Sequence, residues 1–106
     1  MPFAIISGVH ESDRSWVREN LQLLFTDMIG YKKEQTTVTF LDDSSAPKEQ
    51  RVVALVSSKK FSTMESTELE DLAEGIVGVL EMNGSPFNEV MFTEALHVLA
   101  RPNSQQ

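Results

Sequence analysis

The stretch Met1-Pro2-Phe3-Ala4-Ile5-Ile6-Ser7-Gly8-Val9 decides how the rest of the chain is read. Its short apolar run, with two β-branched isoleucines and a closing glycine, predicts a strand over Phe3 to Ser7 that is buried on both faces. Proline directly after the initiator methionine adds chemistry to that strand. Once Met1 is removed, Pro2 carries a free secondary amine at the strand's start. A free α-amino group titrates at about 7.7–8.0, and burial beside apolar side chains lowers this by stripping water from the charged form. Such an amine is a base near neutral pH and can take a proton from carbon or oxygen and return it nearby. Many chains begin Met-Pro for no catalytic reason, so this reading depends on what the other residues build around Pro2.

Ser12 or Asp13 is the expected N-cap of a helix over residues 13–29. Val17, Leu21, Leu24 and Met28 form its apolar stripe, Phe25 and Ile29 widen it, and Gly30 stands at the C-cap position. A polar connection, Tyr31 to Gln35, leads to a β-branched and aromatic run, Thr36 to Leu41, that predicts a second strand. Asp42 to Gln50 is polar with one proline and reads as a surface loop between half-domains. Arg51-Val52-Val53-Ala54-Leu55-Val56-Ser57 is the strongest strand signal and is expected to be central. Ser58 to Ser62 leaves it as a loop. Thr67-Glu68-Leu69-Glu70 has capping-box spacing for a second helix running to about Met82. Leu69, Leu72, Ala73, Ile76 and Leu80 share one face of that helix. Gly75 and Gly78 lower its helix propensity and are expected at close-packed positions against a sheet or another subunit. Asn83-Gly84 stops it. Asn88 to Ala95 is the last strand, Leu96 to Ala100 continues it or forms a short turn, and Arg101 to Gln106 is a polar tail.

The order is βαβ, loop, βαβ. Helical crossovers join parallel strands. The expected fold is α+β: a pseudo-two-fold pair of βαβ units forming a four-stranded sheet with both helices on one face. The chain of 106 residues is read as one domain, 1–106, with half-units at about 2–43 and 51–96. The other sheet face needs a cover, and another copy of the same chain is the natural one.

Composition removes several function classes. With 9 Lys+Arg against 16 Asp+Glu the formal charge is -7, which disfavours nucleic-acid binding. There is no cysteine, hence no disulfide and no thiolate chemistry, and the expected location is the cytoplasm. No apolar run has the length of a membrane span and no signal-peptide pattern is present. The histidines, His10 and His97, lack partners at ligand spacing, so no metal is expected and both read as surface residues. No nucleotide-binding glycine motif or serine-nucleophile elbow occurs, and no cofactor is expected. Asp42 and Asp43 follow a strand but read as the start of a solvated loop. What remains is Pro2 together with Lys59-Lys60, which leave the central strand where a cation could stabilise developing enolate or carboxylate charge. An ordinary solvated turn is the competing reading of the two lysines.

Pro2 at the start of strand one, with the double βαβ order, resembles the tautomerase superfamily. That group includes macrophage migration inhibitory factor, carboxymethyl-hydroxymuconate isomerase and a related branch of small bacterial proteins. The segments carrying the likeness are Met1-Pro2-Phe3, Met28-Ile29-Gly30, Arg51 to Val56, and Glu89-Val90-Met91-Phe92-Thr93. The resemblance implies a homotrimer with sheets facing inward around a three-fold axis and pockets at subunit contacts. It implies a cofactor-independent isomerase in which Pro2 is the general base on a keto–enol substrate, such as a keto acid. Family members often carry arginine near the end of strand one or on strand two, where this chain has Gly8-Val9-His10-Glu11 and Thr37-Val38-Thr39. Lys59 or Lys60 is the expected replacement, with Phe92 as a further substrate-binding residue. Two other readings stay open. One is a tautomerase fold kept only as an assembly. The other is a ferredoxin-like binding or oligomerisation module, whose sheet would run 4-1-3-2. An RNA-binding version of it is disfavoured because Val52 to Ser58 contains no aromatic residue.

Overall fold

The structure, a computed structural model, describes residues 2–41, 51–84 and 88–93. The expected 42–50 loop, Glu94-Ala95 of the last strand, the Leu96 to Ala100 continuation with His97, the polar tail and the fate of Met1 lie outside them.

Six main elements follow the expected order: β1 (Phe3–Ser7), α1 (Arg14–Ile29), β2 (Thr37–Phe40), β3 (Val52–Ser57), α2 (Ser66–Met82) and β4 (Asn88–Thr93). The sheet runs β2-β1-β3-β4. β1 pairs parallel with β2, and β3 parallel with β4, as strands joined by helical crossovers do. The halves meet where β1 and β3 run antiparallel, with Phe3 opposite Ser57, Ile5 opposite Leu55 and Ser7 opposite Val53. This order is the pseudo-two-fold arrangement of two βαβ units. It excludes the ferredoxin-like alternative, whose central pair carries a different neighbour on each side.

Strand alternation separates two faces. Ala4, Ile6, Val38, Val52, Ala54 and Val56 point to one side and are buried with Val17, Leu21 and Phe25 of α1 and Leu72, Ile76 and Leu80 of α2. Both helices therefore cover one face, each through residues at i, i+4 and i+8. On the opposite face Phe3, Ile5, Val53 and Leu55 are half-buried and Met91 is exposed.

Several local expectations are corrected. The buried stripe of α1 is Val17, Leu21 and Phe25, while Met28 is exposed to 41%. Asp13 stands at the N-cap of α1, as expected, though its side chain makes no capping hydrogen bond. A 3-10 turn over Glu11–Asp13 precedes the helix, and His10 Nδ1 accepts from Ser12 N–H. The capping box lies two residues earlier than expected: Glu65 is the N-cap and Glu68 Oε1 accepts from its N–H. Residues 59–63 are a 3-10 helix rather than an open loop, because Ser58 Oγ caps its start by accepting from Lys60 N–H. Gly30 and Gly84 end the two helices with positive φ, as expected.

Glycine is required where chains approach closely. A Cβ on Gly75 would stand 3.0 Å from Leu24 Cδ1 and 3.3 Å from Met28 Sδ, so this position is close-packed as expected, but against α1 and not against a sheet. Gly78, expected to be close-packed too, has nothing within 4 Å of that point. At Gly8 the φ is +94° and a Cβ would lie 2.4 Å from the Arg51 carbonyl oxygen, which is backbone and cannot swing away.

Gly8→Ala should therefore lower unfolding free energy by more than about 2 kcal/mol. Gly78→Ala should raise it by about 0.5–1 kcal/mol through helix propensity alone. Urea denaturation of both variants measures the contrast, and equal effects would refute the assigned packing.

Candidate functional site

Register decides what surrounds Pro2. One residue before the Phe3–Ser57 and Phe3–Thr37 pairs, Pro2 lies between Ser58 on the β3 side and Thr36 on the β2 side. The Pro2 carbonyl accepts from Thr37 N–H at 3.2 Å, and Ser58 N–H donates to Thr93 O at 3.3 Å, so both ladders reach this end of the sheet. By alternation with Ala4, Val38 and Val56, all three side chains face the helices. All are buried: Pro2 below 2%, Ser58 at 2% and Thr36 at 3% exposure.

Two hydroxyl-bearing rows thus flank a proline that begins a central strand. Thr36 Oγ1 is buried and has no hydrogen-bond partner among the described residues. Leaving a buried hydroxyl unpaired is unfavourable by about 1–3 kcal/mol. Ser58 Oγ is better supplied. It accepts from Lys60 N–H at 3.2 Å and shares a 2.9 Å hydrogen bond with Tyr31 Oη, in which either oxygen can be the donor. Tyr31 arrives from the connection after α1. Gln35 Oε1 holds that connection by accepting from Lys32 N–H, and Gln22 Nε2 does so by donating to Thr36 O.

The expected site residues come to this same end of the sheet but differ in what they do there. Lys60 points back to α1: its Nζ donates to Ile29 O at 2.8 Å and lies 4.3 Å from the centre of the Tyr31 ring. It thus satisfies a free carbonyl at a helix C-terminus, where a cation is favoured, and adds a cation–π contact. Lys59 is exposed, and its carbonyl accepts from Ser62 Oγ. Phe92 is part-buried on the helix side, its ring edge-on to Phe61 with centroids 5.0 Å apart. The arginines of α1 stand elsewhere. Arg14 and Arg18 lie over Phe40, 5.8 and 5.3 Å from its centre, and from Thr36 to Phe40 the strand rises about 13 Å.

Sequence reasoning passed over Tyr31, Thr36 and Ser58. Tyr31 is the chain's one tyrosine and stood in a stretch read as a plain connection. Its only signal was an aromatic hydroxyl among charged residues. Thr36 and Ser58 are ordinary strand-end residues until register sets them beside Pro2.

No family model matches the chain, and no curated protein matches it by sequence. Solved structures do. A domain of unknown function from Sebaldella termitidis is 10% identical, with 91% of this chain and 90% of that one covered and a TM-score of 0.72. A macrophage migration inhibitory factor homologue from Prochlorococcus marinus is 16% identical, with 88% of each chain covered and a TM-score of 0.69. A fused 4-OT protein, described as an asymmetric trimer, is 14% identical, with 88% and 85% covered and a TM-score of 0.64. The chain has the fold of the tautomerase superfamily, and the resemblance read from its sequence holds at that level. Among the described residues no helix is long and apolar enough to cross a membrane.

Lys60→Ala should lower stability by about 0.5–1 kcal/mol, since it removes the cation and the hydrogen bond from the α1 C-terminus. The loss should shrink in high salt. Chemical denaturation at two ionic strengths checks this; an unchanged midpoint at low salt would mean that the Lys60 contact carries no load.

Proposed function

We propose that the protein is a cofactor-independent tautomerase in which Pro2, freed by removal of Met1, is the general base. The observation carrying this reading is a buried proline at the start of a central strand, in a fold shared with tautomerase-superfamily structures. The proline nitrogen's lone pair would take a proton from the carbon next to a carbonyl. The electrons of that C–H bond move into the new C=C bond, and the carbonyl π pair moves to oxygen. The proton then returns from the prolinium nitrogen to the oxygen or to another carbon of the conjugated system. No cofactor is needed, because the proton is only relocated. Lys59, exposed at this end, and Lys60 are the cations proposed to meet a substrate carboxylate. Lys60 would have to leave Ile29 O to do so, which makes Lys59 the stronger of the two. Phe92 would line the apolar side of the same pocket.

Self-association belongs to the same reading. Ile5 and Leu55 form a direct cross-strand pair on the sheet face that the described residues leave uncovered, with Met91 next in the row and Phe3 and Val53 on either side. A contiguous apolar surface of this kind calls for a cover. Three copies packing these faces around an axis would supply it, and the fused 4-OT structure is described as a trimer.

Intact-mass measurement should show a chain without Met1. Phenylpyruvate enol–keto conversion should then depend on Pro2, with kcat/KM falling about 100-fold in Pro2→Ala. Retained Met1, or equal rates in the two proteins, would count decisively against the base. Sedimentation should give three times 11.9 kDa. Leu55→Glu, which places charge in the middle of the apolar row, should give monomers; a wild-type monomer would refute the trimer.

A further inference from the structure

The hydroxyl groups beside Pro2 hold hydrogen-bonding capacity that the fold does not use. Tyr31 and Ser58 together carry two hydroxyl hydrogens, and their mutual bond uses one. The Lys60 N–H occupies a lone pair of Ser58 Oγ, not its hydrogen. Whichever oxygen donates in the shared bond, one hydrogen of the pair remains for a third group. Thr36 Oγ1, on the other side of Pro2, adds a second hydroxyl with no partner among the described residues. For packing alone, valine at 36 and phenylalanine at 31 would fill the same space without a buried hydroxyl to satisfy.

We propose that Thr36 and the Tyr31–Ser58 pair are the oxyanion-binding groups of the Pro2 site. They donate hydrogen bonds to the carbonyl oxygen of an enolisable substrate while Pro2 removes the neighbouring proton. This rests on the reading of Pro2 as base. Negative charge grows on the oxygen only as the C–H bond breaks, so donors placed around it favour the transition state over the bound ketone. Neutral donors suit an oxygen that is uncharged at first. A permanent carboxylate is better matched by a cation, and Lys60, the cation over the Tyr31 ring, is already bonded to Ile29 O. The group recognised beside Pro2 is therefore the reacting carbonyl of a ketone, aldehyde or keto acid, whatever binds the rest of the molecule. When the proton goes back to oxygen, it forms the enol hydroxyl, and the same groups then accept or donate to it without any change of charge.

The test uses full-length protein carrying Thr36→Val, Tyr31→Phe, Ser58→Ala, the double variant Tyr31→Phe/Ser58→Ala, and Pro2→Ala. Two readouts are taken: phenylpyruvate tautomerisation, and binding of 4-nitrophenol, whose phenol oxygen mimics an enol and whose absorption band reports hydrogen bonding. Thr36→Val and the double variant Tyr31→Phe/Ser58→Ala should each lower kcat about 10- to 100-fold with little change in KM. Tyr31→Phe and Ser58→Ala should each lose less than the double variant, because the hydroxyl that remains still carries one hydrogen. 4-Nitrophenol should bind about 10-fold more weakly to Thr36→Val and to Tyr31→Phe/Ser58→Ala, and normally to Pro2→Ala. Thermal midpoints control for folding, and Thr36→Val should not melt lower than wild type. If Pro2→Ala abolishes turnover while Thr36→Val and Tyr31→Phe/Ser58→Ala leave both readouts unchanged, the proposal falls and the base stands. If probe binding depends on the hydroxyls but turnover does not depend on Pro2, the donors stand and the base falls. A wild-type protein that does not bind 4-nitrophenol, or that binds it no better than the hydroxyl variants, overturns the proposal.

Discussion

The antiparallel contact between β1 and β3 is the constraint on which the rest depends. Each βαβ half could bury one side of its helix, but neither has a core of its own without the other. The five cross-strand pairs from Phe3–Ser57 to Ser7–Val53 join the halves and bring Ala4 and Ile6 level with Val56 and Ala54. These four form the floor on which Phe25, Leu21, Leu72 and Ile76 sit. A slip of one residue would turn every apolar side chain of one half to the wrong face. The approach of Gly8 to the Arg51 carbonyl limits how close the strands can come where that contact ends.

The same register creates the candidate site. Because Phe3 faces Ser57, the residue before it faces Ser58, and the parallel pairing with β2 brings Thr36 to the other side. Polar groups thus collect at one end of an otherwise apolar face. The 3-10 turn after β3 completes the arrangement. Its Lys60 amide is capped by Ser58, its Phe61 ring closes over Phe92, and its Lys60 side chain reaches the end of α1 and covers Tyr31. An apolar filling would be the more stable choice at this end. A buried threonine hydroxyl with no partner among the described residues is the local inconsistency on which the proposed site rests.

The two sheet faces explain a feature of the sequence. β1 and β3 read as nearly continuous apolar runs, which usually marks strands covered on both sides. Among the described residues only one side is covered, by the helices, while Phe3, Ile5, Val53 and Leu55 remain half-buried on the other. The excess of apolar residues goes beyond what the described core uses, and it is the feature that the proposed self-association would explain.

Element type and order were legible because they are written in local periodicity. The Val17, Leu21, Phe25 and Leu72, Ile76, Leu80 spacings, the valine-rich run at Val52 to Val56, and the glycines at helix ends each declare themselves within a few residues. Pro2 was legible for the same reason, being next to the first strand in the chain. Helix starts were less so: Thr67-x-x-Glu70 and Glu65-x-x-Glu68 offer the same chemistry two residues apart, and only the turn before α2 selects between them. The sequence alone determined two βαβ units, a central β3 and a proline at the start of β1. Only the tertiary structure decided that Lys60 serves the α1 C-terminus and that Thr36, Tyr31 and Ser58 gather around Pro2. Those relations join residues about 25 to 55 positions apart through strand register and a helix–turn contact. No local pattern encodes such distances; they come into being when the halves pair.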